Sequence, residues 1–268
     1  MDEIGLWSKN KLDIVKLYTE EYSKIVSKFK FEHSYVDGFA GAGMHKFKNT
    51  GEFVKGSPLR ILELKNPFRK HYLIDKDETK IQHLKRTIGN RSDVVYFYGD
   101  SNIVLINEVF PLIRYEDYKR AFCLLDPYGI HIDWKVVEAA GKAKSIELLI
   151  HFSTMDINMN VLKRNRDAVD QSQIERMNRF WGDGSWRDVG YSSEMMLFKG
   201  KEYEEKVDND TMAEAYMERL KNVAGFKYVL KPLPMRNSNG ATIYYLLFAT
   251  HNQTGEKIMR HIFDKYRK

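Results

Sequence analysis

The chain has 268 residues, 43% of them hydrophobic and 30% charged, with a formal net charge of +6. That is enough for one large domain or two small ones with a sizeable core, but no apolar run approaches the ~20 residues a membrane-spanning helix needs. A lone cysteine, Cys123 inside the run AFCLL, excludes a disulfide framework and a cysteine-rich metal site.

The N-terminal MDEIGLWSKNK carries no apolar signal segment, so a cytoplasmic location without a membrane partner is expected. Residues 7–30 place Leu12, Val15, Tyr18, Tyr22, Ile25 and Phe29 at helical spacing. One or two amphipathic helices are predicted there, within an N-terminal helical extension over 1–33. Short apolar runs then alternate with helix-compatible segments. SYVDGF (34–39), HYLID (71–75), VVYFYGD (94–100), AFCLLD (121–126) and IELLIHF (146–152) read as strands. SPLRILELK, ETKIQHLKRTI, NIVLINEVFPLI and WKVVEAAGKA read as helices, the first with Ser57 as N-cap and Pro58 at the first helical position. Such alternation gives βαβ units and a parallel sheet.

After Phe152 the pattern becomes polar and helix-prone, and a helical insertion is predicted over 153–210. TMAEAYMERLKNVA is helical, with Gly225 as a C-cap. FKYVLKPLPM and ATIYYLLFAT form a hairpin pair, and TGEKIMRHIFDKYRK a closing helix. The expected architecture is a single α/β domain over 1–268: a mostly parallel, Rossmann-like seven-stranded sheet with an antiparallel C-terminal hairpin.

Four strands end on a carboxylate: Asp37, Asp75, Asp100 and Asp126. Open parallel sheets bind ligands outside the carboxyl ends of their strands, where strand order reverses. An acidic rim there repels a pyrophosphate but suits S-adenosylmethionine, whose sulfonium and ammonium are cations. An NAD-type oxidoreductase is disfavoured further because GAGMHK lacks the third glycine of a dinucleotide loop. The candidate cofactor contacts are Asp37, Gly38, Phe39, Ala40, Gly41, Gly43, Ser57, Asp75, Lys76, Asp100 and Ser101. Each aspartate alone is more often a strand-end turn or helix cap; the ordered set of four points to a cofactor.

The run LLDPYG supplies the chemistry of amine methylation. An exocyclic base amine is a poor nucleophile because its lone pair is delocalised into the ring. Asp126 and the Pro127 carbonyl accept its two N–H groups and turn the lone pair toward the methyl group, and the Tyr128 ring stacks on the base. The expected activity is therefore N-methylation of an exocyclic amine of a nucleic-acid base. Between His45 and Arg86 there are eleven Lys/Arg against five Asp/Glu, an excess equal to the whole net charge. A phosphate backbone selects such a strip, and a merely solvated surface also fits it. The eight histidines are scattered, and no Ser/His/Asp or metal-ligand spacing stands out.

The stretch 37-DGFAGAG-43 has the D-x-F-x-G-x-G form of the first motif of Rossmann-like methyltransferases. DPYG resembles the [D/N]-P-P-[Y/F/W] motif of amino-methyltransferases with one proline fewer, and the D-P-[F/Y]-G of tRNA guanine-N2 dimethyltransferases. DGFAGAG followed by 56-GSPL-59 is similar to the large-subunit rRNA adenine-N6 methyltransferase, in which GSP opens the helix after an excursion. YVDGFAGAG, KGSPLR, LLDPYG with Trp134, 155-MDINMNVLKR-164, 177-MNRFWGDGSWRD-188 and 232-PLPMRNSNGATIYYLLFAT-250 together resemble the three-Cys-motif partner family of predicted methyltransferases. That resemblance runs nearly end to end. It implies an S-adenosyl-L-methionine-binding Rossmann-like fold and a partner protein carrying three clustered cysteines. The alternative is a non-catalytic module of the same fold that binds RNA, DNA or that partner. In the insertion, Arg164, Arg166, Arg176, Arg179 and Arg187 accompany Trp181 and Trp186. Six acidic residues balance six basic ones between Asp156 and Asp188, so buried tryptophans and internal ion pairs are expected there.

Overall fold

The computed structural model describes residues 2–29, 31–48, 51–165, 168–198 and 201–267. The short, continuous apolar runs of the predicted strands build a sheet buried on both faces. Its parallel strands are β1 (Glu32–Asp37), β2 (Lys70–Asp75), β3 (Val94–Tyr98), β4 (Lys119–Leu125) and β5 (Ile146–Phe152). The C-terminal strands β6 (Tyr228–Val229), β7 (Leu233–Arg236) and β8 (Thr242–Thr250) complete it. The order is β6-β8-β5-β4-β1-β2-β3, with β7 also pairing β8, and β8 runs antiparallel to β5. Strands β6 and β7 share one sheet position beside β8. Pro232 between them has no N–H to give the ladder, and Arg267 donates to the carbonyls of Lys231 and Pro232, both at 2.9 Å.

Helix α1 (Leu6–Val26) is a single 21-residue helix that buries Leu12, Val15, Tyr18 and Tyr22. It shares one face of the sheet with α2 (Ser57–Leu62), α3 (Glu78–Ile88) and α10 (Gln253–Tyr266). The other face carries α4 (Ser101–Val104, extended by a π turn and a 3-10 turn to Leu112) and α5 (Trp134–Ala143). It also carries the π turn Ile157–Val161 that continues α6 (Thr154–Asp156), and α7 (Gln171–Trp181), α8 (Trp186–Gly190) and α9 (Asn209–Asn222). Right-handed crossovers impose this split: the chain winds outward through β1, β2 and β3, then restarts at β4 in the opposite direction. Alternate residues of one strand serve opposite faces, Tyr35 and Phe122 one, Val36 and Cys123 the other. Among the described residues no helix is long and apolar enough to cross a membrane.

Three expectations are corrected. The N-terminal extension over 1–33 is not wholly helical: a strand at Asp2–Ile4 joins in parallel the hairpin of Met44–Phe47 with Phe53–Lys55 that forms the excursion after the glycine loop. The stretch 153–210 is not wholly helical: Tyr191–Phe198 and Lys201–Lys206 pair antiparallel. Ser57 does not cap α2. Gly56 occupies the cap position, and Ser57 is the first helical residue with its hydroxyl turned to Asp37.

Candidate active site

Strand order reverses between β1 and β4, and their carboxyl ends open into a cavity of about 1140 Å³. That exceeds the roughly 300–1,000 Å³ of an ordinary small-molecule pocket. The glycine loop crosses the switch point, stitched to both neighbouring strands. Gly38 N–H donates to Leu124 O (3.0 Å), Ala40 N–H to Ile74 O (2.8 Å) and Gly41 N–H to Asp75 Oδ2 (2.9 Å). Gly41 has φ +61° and nothing within 4 Å of where a Cβ would stand, so bare backbone faces open space there. Gly43, at φ +80°, is confined instead: a Cβ would meet Leu84 Cδ1 at 2.5 Å.

Of the predicted contacts, Phe39, Ala40, Gly41, Ser57, Asp75, Lys76, Asp100 and Ser101 line this cavity, as do Asp126, Pro127 and Tyr128. Asp37, Gly38 and Gly43 do not. Asp37 is fully buried behind the loop and accepts from Tyr35 Oη (2.8 Å), Ser57 Oγ (2.6 Å) and Phe39 N–H (3.1 Å). Burial pushes its carboxyl up to about 6, against the pull of those three donors. The expected rim of four aspartates is thus three, and Asp37 organises the loop from beneath. Asp75 uses its other oxygen to accept Asp77 N–H (2.8 Å). Asp100 caps α4 by accepting Asn102 N–H (2.8 Å), and Ser101 Oγ donates to the Gly38 carbonyl.

Asp126 is enclosed by groups the sequence reading did not single out. Lys11 of α1 donates to Oδ2, and His151 Nδ1 lies 2.9 Å from Oδ1. The His151 ring stacks on Tyr244 with centroids 4.1 Å apart. The Asp126 side chain keeps 23% of its surface exposed and His151 keeps 14%, so both remain reachable from the cavity. Burial opposes the charge on Asp126, yet Lys11 and His151 hold its carboxyl well below the usual carboxylate range. Burial likewise lowers His151, against the pull of Asp126, so the imidazole is neutral at neutral pH. One signal for His151 lay in the strand register: Leu125 pairs with Ile150, which sets Asp126 level with His151. Lys11 had none, because it reaches the site from a helix more than a hundred residues away in the chain.

The loop after Asp126 is clamped by the insertion. Gly129, at φ +78°, packs so close to Asp156 that a Cβ would lie 2.1 Å from Oδ2. Asp156 accepts Ile130 N–H (2.8 Å), Asn160 Nδ2 (2.7 Å) and both Arg176 amino groups (2.9 and 2.7 Å). Burial works against its charge, but these donors outweigh it and lower its pKa. Tyr128 projects at the cavity mouth with 73% of its surface exposed and Lys80 Nζ 5.7 Å from its ring centre. His45, Lys48, Lys76, Lys80 and Arg179 lie round the same cavity. As expected, Trp181 and Trp186 are buried in the core, and Arg187 stacks on Trp186. Arg166 lies outside the described residues.

A scan against protein-family models finds no match to the chain, and neither does a search among curated proteins. Among solved structures, the Legionella pneumophila protein LPL1258, of family DUF519, aligns over 95% of this chain and 92% of its own. Its identity is 12% and the TM-score 0.51. A candidate S-adenosylmethionine-dependent methyltransferase from Listeria monocytogenes aligns over 88% of this chain and 98% of its own, at 13% identity and a TM-score of 0.41. The methyltransferase domain of bacterial CtHen1 covers 88% and 99%, at 10% identity and a TM-score of 0.43. The likeness is one of fold: a mostly parallel, Rossmann-like sheet with antiparallel C-terminal strands.

Proposed function

We propose that the protein is an S-adenosyl-L-methionine-dependent methyltransferase acting on an exocyclic amine of a base in RNA or DNA, adenine N6 or guanine N2. One observation carries the reading. The acidic strand ends Asp75 and Asp100, the open backbone at Gly41 and the DPYG loop all line a single cavity at the switch point. The donor set suits this cofactor. Asp75 would accept the ribose hydroxyls, the Asp100–Ser101 turn and Lys76 would border the adenine, and Phe39, Ala40 and Gly41 would bring backbone against the methionine portion. Bound there, the cofactor supplies a methyl group activated by its sulfonium. Asp37, Gly38, Gly43 and Ser57 would hold the loop in shape.

The protein's own task is positioning. A carboxylate has about four lone-pair sites, of which Lys11 and His151 occupy two. The remaining capacity of Asp126 and the Pro127 carbonyl would accept the two amine hydrogens, aiming the nitrogen lone pair at the methyl carbon. Tyr128 would stack on the base at the mouth, which requires a single-stranded or flipped nucleotide. The cationic side chains round the cavity would take the phosphates. Asp126→Ala tests the assignment: methyl transfer is expected to vanish with cofactor binding retained, and unaltered turnover would remove Asp126 from the chemistry.

The engagement of Asp126 by Lys11 and His151 favours a second reading, a non-catalytic module that binds nucleic acid or a three-cysteine partner. The resemblance to the three-Cys-motif partner family supports that partner under either reading. Nucleic-acid binding without binding of any S-adenosyl compound would select the non-catalytic module.

A further inference from the structure

We infer that His151 and Asp126 form a proton-accepting dyad in which Nε2 of His151 takes the proton that the target amine loses; the inference rests on the base-amine reading above. With Nδ1 at 2.9 Å from Oδ1 of an ionised Asp126, the ring must carry its hydrogen on Nδ1 and its lone pair on Nε2. Nε2 makes no hydrogen bond among the described residues, and His151 lines the cavity. Stacking on Tyr244 fixes the plane of the ring. Lys11 serves the pair indirectly, as a positioning residue, by keeping Asp126 charged from the side away from the imidazole.

The step balances. As the amine nitrogen bonds the methyl carbon, the carbon–sulfur bond breaks and its electron pair stays on sulfur. The nitrogen, now cationic, passes one proton to Nε2, directly or over one water, and the resulting imidazolium is held by Asp126 until solvent removes the proton. Asp126 cannot accept it, because two cationic or hydrogen-donating neighbours already stabilise its charged form. The charged and titratable groups facing the imidazole are Asp126, Lys11, Asp156 and Tyr244; the two carboxylates favour its protonation, and burial and Lys11 oppose it.

Two measurements test this. Imidazole nitrogen NMR shifts of the whole protein near neutral pH, with the resonance assigned by its loss in His151→Gln, should show the neutral Nδ1–H tautomer. An Nε2–H tautomer or an imidazolium would overturn the dyad without reference to any substrate. Transfer of labelled methyl groups to single-stranded RNA and DNA oligonucleotides should fall on acidification with a midpoint below the ordinary histidine value. In His151→Gln the rate should drop roughly 100- to 10,000-fold and lose that acid limb, with S-adenosylhomocysteine binding unchanged by calorimetry. Turnover in His151→Gln close to wild type, or an unmoved acid limb, would overturn the assignment. If wild type binds the cofactor but methylates no oligonucleotide, the base-amine reading fails instead, and the tautomer still decides the dyad.

Discussion

Two aspartates end adjacent strands and meet opposite fates. Asp126 faces the cavity and is held ionised by a lysine and a histidine; Asp37 is turned inward and pushed up by burial. Sequence position identified both as strand ends, and Asp75 and Asp100 with them, because each follows an apolar run that stops. It did not reveal that Tyr35 and Ser57 would capture Asp37, since that depends on a hydroxyl twenty residues further along folding back over the loop. Asp37→Ala should therefore act mainly on stability, leaving buried donors unpaired at a cost of roughly 1–3 kcal/mol by denaturant unfolding. Glu147 is a second raised carboxyl, pushed to about 7 by burial despite bonds from Tyr18 and Thr250. A raised carboxyl contributes stability that is complete below its unfolded value and fades as pH rises through the folded one. The stability of wild type relative to Glu147→Gln should thus decline from about pH 4.5 to above pH 7, as read by unfolding at several pH values. A constant difference would place Glu147 in an ordinary solvated setting.

Among the elements, the five parallel strands were legible because each is a short apolar run that serves a core on both faces, and the helices between them because their apolar spacing is regular. The hairpins at 44–55 and 191–206 were not. The first has strands of only four and three residues and is completed by a partner from the extreme N-terminus, and the second pairs Tyr191–Phe198 with the charged run KEYEEK. The link between the insertion and the DPYG loop was likewise invisible, although both halves had been noticed: Asp156 and Arg176 converge on Gly129 and Ile130 only in the folded chain. Gly129→Ala puts a side chain into a left-handed backbone and against the Asp156 carboxylate. It should cost roughly 1–3 kcal/mol from the backbone alone and weaken methyl transfer more than cofactor binding. A variant with wild-type melting and turnover would show that the loop is not clamped there.

Across the whole molecule, one sheet reversal places the acidic strand ends Asp75 and Asp100 beside the cationic side chains of Lys48 and Lys80. The basic excess seen between His45 and Arg86 reaches the cavity through His45, Lys48, Lys76 and Lys80. Affinity for single-stranded RNA or DNA should fall with salt by roughly 0.7 logarithmic units per decade for each phosphate contacted, and Lys48→Ala should flatten the slope by about one contact. Affinity independent of salt would contradict a phosphate-tracking mouth. Calorimetric titration of S-adenosylmethionine and S-adenosylhomocysteine, with NAD as control, tests most directly whether the switch-point cavity holds S-adenosylmethionine. Because Asp37 lies behind the cavity wall and Asp75 lines it, the informative variant is Asp75→Ala. The structure predicts saturable binding of both S-adenosyl compounds by wild type, at least about tenfold weaker binding in Asp75→Ala, the discrimination one lost charged hydrogen-bond acceptor supplies, and none of NAD. Folded protein that binds neither compound, or binds NAD equally well, would contradict it.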